Sequence, residues 1–167
     1  MSGPSVDRMS DILGLLQVKL PVTNLARSVD FYTRLLDLRL WVEIVEQGTL
    51  RGVGLIDRDG RYNISLRNRE VCASTPDLTG FDVVAFRPTD RAALVRLAAR
   101  CAAEGFTHGG VVDGPTGAVL DVTDPDGTVL RFYHFTAPTD GFTGVVFGDG
   151  GVETGHYSEP RLTAQAP

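Results

Sequence analysis

The sequence has 167 residues, of which 43% are hydrophobic and 22% charged, and its formal net charge is −5. These values predict one ordinary globular domain with ragged ends. The acidic balance argues against nucleic acid as a partner, and we find neither a membrane-length apolar run nor a signal peptide. Cys72 and Cys101 lack CxxC spacing, which indicates reduced thiols and a cytoplasmic protein.

The first half of the chain predicts a strand, a helix and three more strands. Residues 1–12 are polar and are expected to form a loose N-terminal arm. Leu16 to Val22 alternates apolar and polar side chains, as a half-buried strand does. Thr23-Asn24 offers an N-cap for a helix that ends near Asp37. The strands that follow are predicted at Leu38 to Glu46, Leu50 to Ile56 and Tyr62 to Arg67.

The second half predicts the same order of elements after a linker at residues 68–80. A strand is expected at Phe81 to Pro88, followed by a helix from Arg91 to Glu104 that Gly105 ends. Val111-Val112 leads into a turn. Two final strands are predicted at Val119 to Thr123 and Val129 to His134.

The two halves are related by a constant offset in the sequence. Leu20 and Phe86 are 66 residues apart, and so are Leu66 and Phe132. This internal repeat predicts an α+β domain at residues 13–135, built from two βαβββ modules at about 15–68 and 81–135. Their eight strands are expected to form a concave cleft with the helices outside. Residues 136–167 are a Gly- and Pro-rich tail in which we predict no clear element.

Two short motifs resemble the vicinal oxygen chelate superfamily, which contains glyoxalase I, bleomycin resistance proteins and extradiol dioxygenases. The opening motif consists of Gln17 to Val22, the stretch Arg27 to Tyr32 and the pair Leu35-Leu36, with Asp37 where the family has Gly. The closing motif is Asp124-Pro125-Asp126-Gly127 followed by Arg131, where the family has Glu. The resemblance covers roughly residues 15 to 135 and implies a fold, not a reaction.

The same resemblance implies where a divalent metal would bind. The family holds its metal with one side chain from each terminal strand of each module, and these positions correspond to Gln17, Ser65, Val83 and Arg131. Gln17 has a donor atom suited to a metal, but neutral Ser65 is a poor ligand, Val83 has no donor, and Arg131 is a cation. We therefore predict no metal ligands and no cofactor. A one-residue change of register would bring Asp82 to the cleft instead of Val83.

Alternation along the terminal strands predicts a polar cleft face. It includes Gln17, Lys19, Asn63, Ser65, Val83, Arg131 and Tyr133, with Ala85, Arg87 and Val129, and Trp41 is a further candidate for lining a pocket. The cations on this face need partners, because a buried unpaired charge is costly. Either acids such as Glu43, Glu46 or Asp121 pair with them, or a bound anion does.

Several functions agree with this pattern. The first is a metal-independent protein that binds and sequesters a small, anionic organic ligand, as resistance proteins of the family do. The second is a metal-free isomerase, cyclase or lyase with Lys19, Arg131 and Tyr133 as candidate catalytic residues. A metal lyase or dioxygenase with non-standard ligands and a subunit with a vestigial cleft are further alternatives. The family and the open sheet edges also predict a homodimer.

Overall fold

The computed structural model describes residues 14–136, 144–149, 153–159 and 161. The predicted N-terminal arm and most of the predicted C-terminal tail therefore lie outside the described residues. The chain divides into two compact units that meet in sequence between Thr75 and Pro76. Among the described residues, no helix has the length and apolar character needed to cross a membrane.

The first unit is a βαβββ module. Its elements are β1 (Val18–Val22), α1 (Leu25–Leu36), β2 (Arg39–Glu46), β3 (Thr49–Ile56) and β4 (Asn63–Asn68), followed by a short 3-10 helix (Arg69–Val71). The sheet has the order β1-β4-β3-β2, with β1 parallel to β4 and the other pairs antiparallel. The predicted N-cap is confirmed, because the Asn24 side chain accepts a hydrogen bond from the backbone of Arg27 at 3.0 Å. Asp37 ends α1 with φ 54°.

The second unit repeats this module. Its elements are β5 (Asp82–Phe86), α2 (Arg91–Glu104), β6 (Thr107–Asp113), β7 (Gly117–Thr123) and β8 (Val129–Phe135). The sheet order is β5-β8-β7-β6, and β5 is parallel to β8. Asp90 caps α2, and Gly105 ends it with φ 73°. Sequence analysis recognised only the Val111-Val112 portion of β6.

The internal repeat is confirmed by strand register. Leu20 pairs with Leu66 between β1 and β4, and Phe86 pairs with Phe132 between β5 and β8. The two pairs thus occupy equivalent places in their sheets. Each module has its own core, in which Leu20, Leu66 and Phe132 are almost fully buried. The α+β class and the two βαβββ modules predicted from the sequence are therefore confirmed.

The C-terminal segment differs from the prediction. It contains two antiparallel strands, β9 (Gly144–Phe147) and β10 (Glu153–Tyr157), where no element was expected. The short apolar run Val145-Val146-Phe147, followed by a glycine-rich segment, is a hairpin signal that the composition of the tail concealed. Both strands belong to the second unit.

Candidate functional site

A cavity of about 550 Å³ lies in the second unit, bounded by strands β5 to β8 and by the β9–β10 hairpin. This volume is within the roughly 300–1,000 Å³ range of small-molecule sites. Its apolar lining consists of Ala85, Phe86, Val112, Val119, Phe135, Val145 and Phe147. Its polar and charged side chains are Asp82, Arg87, Asp113, Thr116, Arg131, Tyr133 and Glu153. The combination of an apolar wall and a few polar groups is typical of a binding site for an organic molecule.

Arg131 lies between two carboxylates on this face of the sheet. Its Nε and Nη2 donate to the two Asp121 oxygens at 2.9 and 2.8 Å, and its Nη1 is 2.7 Å from Asp82 Oδ2. The hydrogen bond to Asp121 raises the pKa of Arg131, partial burial opposes that shift, and both acids add to it. One guanidinium thus faces two negative charges. Of the alternatives left open by the sequence, internal pairing with Asp121 is what the structure shows.

A β-bulge at Val83 explains why Asp82 reaches Arg131. Asp82 pairs with Val129, whereas Val84 pairs with Leu130, so Val83 is the extra residue on β5. We expected Val83 to face the ligand and Asp82 to point away, and this expectation is wrong for the described cavity, which Asp82 lines. Ala85 pairs with Arg131 on the neighbouring strand, so both side chains lie on the same face, as the alternation predicts. The bulge brings in Asp82 without a slip of the whole strand.

A second polar group connects the sheet to the hairpin. The Tyr133 hydroxyl is 2.7 Å from Thr116 Oγ1, which is 2.8 Å from Glu153 Oε2. The backbone N–H of Thr116 also donates to Glu153 Oε2, at 3.3 Å. Tyr133 packs edge-on against Phe135, with ring centroids 4.6 Å apart. Strand alternation predicted Tyr133 at the site but not Thr116 and Glu153, because the roles of those two residues depend on the unpredicted hairpin.

The remaining predicted ligand-binding residues belong to the first unit. Lys19 on β1 is exposed and lies opposite Ser65 on β4, which in turn lies opposite Gly54 on β3. Directly opposed residues carry their side chains on the same face of a sheet. The Trp41 ring lies over Gly54, 3.4 Å from where a Cβ would be. Lys19, Ser65 and Trp41 therefore share one face of the first sheet.

Two further predicted residues lie near the start of β1. Gln17 directly precedes that strand and is half-buried. Asn63 is buried, and its Nδ2 donates to the carbonyl of Leu16 at 2.8 Å. This hydrogen bond holds the residue before Gln17 against β4, so Asn63 has a structural partner in the first module.

Comparison with known proteins identifies the family. The family model for the Glyoxalase/Bleomycin resistance protein/Dioxygenase superfamily matches residues 14–132. The chain belongs to this superfamily. No curated protein sequence shows significant similarity to it.

Solved structures of the superfamily share the fold. A glyoxylase/bleomycin resistance protein/dioxygenase domain from a Frankia species is 24% identical, with a TM-score of 0.63, and the match covers 74% of this chain and 93% of that one. An antibiotic binding protein from a Streptomyces species is 18% identical, with a TM-score of 0.63 and coverage of 77% and 100%. A fosfomycin resistance protein from Listeria monocytogenes is 15% identical, with a TM-score of 0.60 and coverage of 75% and 95%. At these identities the similarity shows the fold alone.

The side chains of the second module do not fit the divalent metal that the family implies. The guanidinium of Arg131 stands where the family has a carboxylate, and it already binds the Asp82 and Asp121 oxygens. A cation in that position repels a metal ion and occupies the neighbouring oxygen donors. Within the described ranges, no cluster of three or more His, Cys, Asp or Glu side chains is placed to hold a metal ion.

Proposed function

We propose that this protein binds a small, largely apolar organic molecule in the second-module cavity, without a metal, and sequesters it. The observation that carries the proposal is the cavity itself, with about 550 Å³ of volume and aromatic or aliphatic side chains on several strands. Burial of apolar ligand surface against such walls contributes about 25 cal/mol per Å². An antibiotic binding protein from a Streptomyces species shares the fold, which fits a binding role.

The chemistry of the site supports binding rather than catalysis. Lysine becomes a base or Schiff-base nucleophile when it is desolvated, but Lys19 is exposed. Arg131 is held by two carboxylates, and the Tyr133 hydroxyl is engaged with Thr116. None of the three candidate catalytic residues is therefore a desolvated base that could take a proton from a substrate. We therefore do not propose the isomerase, cyclase or lyase alternative.

We propose that the protein acts as a cytoplasmic homodimer. Cys101 is fully buried and Cys72 is half-buried, and both are free thiols. Burial raises the pKa of the Cys101 thiol and so keeps it in the unreactive protonated form. Reduced thiols of this kind fit a reducing compartment.

A cavity-filling substitution tests the proposed site. Val119 lines the cavity from β7, and Val119→Trp places an indole in the space that a ligand needs. We expect naphthylethanol, a neutral aromatic probe, to bind the native protein in isothermal titration calorimetry and to bind Val119→Trp at least about tenfold more weakly. Val95 is exposed on α2, so Val95→Trp is the matched control and keeps native affinity. Equal affinity of the probe for Val119→Trp and the native protein would refute the site.

A further inference from the structure

The wall of the cavity next to the hairpin carries a directed chain of hydrogen bonds. A threonine hydroxyl has one proton, and an ionised carboxylate only accepts. Because Thr116 Oγ1 donates its proton to Glu153 Oε2, the short contact between Thr116 and Tyr133 must be donated by the Tyr133 hydroxyl. The chain of donors therefore runs from Tyr133 through Thr116 to Glu153. Thr116 is 4% exposed, so water does not replace these bonds.

This direction leaves only acceptors for a ligand on that part of the wall. Glu153 Oε1 is buried and has no hydrogen-bond partner in the described part of the chain. The Tyr133 hydroxyl uses its only proton in the hydrogen bond to Thr116, and the lone pairs of its oxygen can still accept a hydrogen bond. A buried acceptor without a partner destabilises the protein, and more so when it is charged. The complement of this surface is a hydrogen-bond donor, and the best complement is a charged one.

The cations around the cavity do not satisfy Glu153. Arg131 is engaged by Asp82 and Asp121, and Arg91 is engaged by Asp113. No ion pair to Glu153 is formed among the described residues. Arg87 lines the exposed rim. The negative charge of Glu153 is therefore available to pair with a cationic ligand.

We infer that the ligand of this cavity is an organic cation, a protonated amine on an apolar body, whose ammonium group donates to the Tyr133 hydroxyl oxygen and compensates the charge of the Glu153 carboxylate. This inference rests on the proposed function and reverses the ligand charge expected from the sequence. Glu153 and the apolar hairpin residues Val145 and Phe147 lie beyond residue 132, where the family match ends. The recognising group therefore comes from a segment outside the region that the family model matches.

Three probes that share one aromatic body test the charge preference. They are naphthylethylamine, naphthylethanol and naphthylacetate, titrated calorimetrically into the native protein near neutral pH. We expect the amine to bind at least about tenfold more tightly than the alcohol, since only the amine adds the attraction of opposite charges to its hydrogen bonds. The acetate is expected to bind most weakly. Equal affinities of amine and alcohol, or tightest binding of the acetate, would overturn the inference.

Glu153→Gln removes the charge and keeps the shape of the side chain. We expect this variant to lose the amine preference, so that naphthylethylamine and naphthylethanol bind it with equal affinity, and binding of either probe shows that the cavity has kept its form. Glu159 is exposed, and Glu159→Gln is the matched control that keeps the preference. A full amine preference in Glu153→Gln contradicts the assignment.

The probe series separates the two proposals. Binding of the alcohol without any advantage for the amine refutes the cationic ligand and leaves the binding function standing. Failure of all three probes to bind refutes both. The ranking of the probes on the native protein needs no variant, so the inference is decided even if Glu153→Gln does not fold.

Discussion

A single buried carboxylate fixes each tight turn that precedes a module's last strand. In the first module, Asp57 is 3% exposed and accepts hydrogen bonds from the backbones of Arg61 and Tyr62 and from the Arg61 guanidinium. In the second module, Asp124 accepts from the backbones of Asp126 and Thr128. These bonds explain why both modules have an Asp at the first position of the sequence Asp-x-Asp-Gly.

The Asp57 carboxyl group makes the folding stability of the protein depend on pH. Burial alone would raise its pKa, but the hydrogen bonds from Arg61 and Tyr62 prevail and lower it. A carboxyl group with a lowered folded-state pKa stabilises the fold above its unfolded-state value of about 3.9, and this contribution disappears as the pH falls through the folded-state pKa. We expect Asp57→Asn to lower the thermal midpoint at neutral pH, with the difference from the native protein shrinking below about pH 4.

The neighbouring Asp59 provides the control for that measurement. It is exposed, and it lies 3.4 Å from the same arginine, Arg61. Exposed ion pairs contribute about 0–1 kcal/mol, so Asp59→Asn is expected to change the midpoint little at any pH. A difference between Asp57→Asn and the native protein that stays constant from about pH 7 to pH 2 would contradict the role of the Asp57 charge.

At the residue scale, alternation along a strand predicts well wherever the strand is regular. It placed Arg131 and Tyr133 on one face, and both line the cavity. It failed at Val83, because a bulge reverses the alternation over one residue and needs no distinctive side chain to do so. The signal in the sequence that could have revealed the role of Asp82 was the need of Arg131 for acidic partners. Sequence analysis named Asp121 as a partner and set Asp82 aside on the assumption of a regular strand.

At the scale of elements, the hairpin depends on a close approach of two residues. Gly144 lies opposite Tyr157, and the tyrosine ring covers the place where a Cβ of residue 144 would stand. Gly144→Ala must displace the ring or separate the strands. We expect this variant to bind naphthylethanol about tenfold more weakly in calorimetry, because Val145 and Phe147 would no longer close the cavity.

Gly155 on the partner strand offers a matched substitution. A Cβ at that position has open space around it, so Gly155→Ala changes the same residue type in the same hairpin without a clash. It is expected to keep native affinity for the probe. If Gly144→Ala also binds like the native protein, then movement of the Tyr157 ring alone accommodates the added methyl group, and the predicted separation of the strands is wrong.

The helices and strands of the modules were predictable because their signals are local. Asn24 and Asp90 cap the two helices by hydrogen bonds to backbone groups three residues ahead, and Gly105 ends the second. The hairpin was missed because its signal is short and lies within a composition typical of loops. Its two strands have four and five residues, and they need tertiary packing to be stable.

At the scale of the whole molecule, an apolar strip on the first module predicts self-association. Strands β2 and β3 expose the side chains of Leu40, Trp41, Val42, Val45 and Leu50. An apolar edge of this kind favours pairing with another chain. Light scattering at micromolar concentration is expected to give twice the chain mass of 18.0 kDa.

A charge within this strip tests the dimer. Val45 is 59% exposed on β2, and Val95 is 48% exposed on α2. We expect Val45→Lys to give a monomer and Val95→Lys to leave the dimer intact. A native mass of 18.0 kDa would contradict the prediction.

The duplicated architecture was predictable from the sequence, whereas the chemistry of the ligand was not. The offset of 66 residues between Leu20 and Phe86 comes from comparing the two halves of the sequence with each other. That comparison needs no knowledge of side-chain contacts. The charge offered to a ligand depends on which acids meet Arg131 and on where Glu153 lies. Those contacts join residues 10 to 49 positions apart along the chain, and only the folded structure brings them together.

A crystal structure of the protein as purified, with naphthylethylamine bound and anomalous data collected for transition metals, tests the central claim most directly. We predict the naphthyl ring between the second sheet and the β9–β10 hairpin, the ammonium group within ion-pair distance of the Glu153 carboxylate, and no anomalous peak beside the ligand. A probe bound outside this cavity, or a metal ion ligated by Gln17, Ser65 or Asp82 in contact with it, would contradict the account.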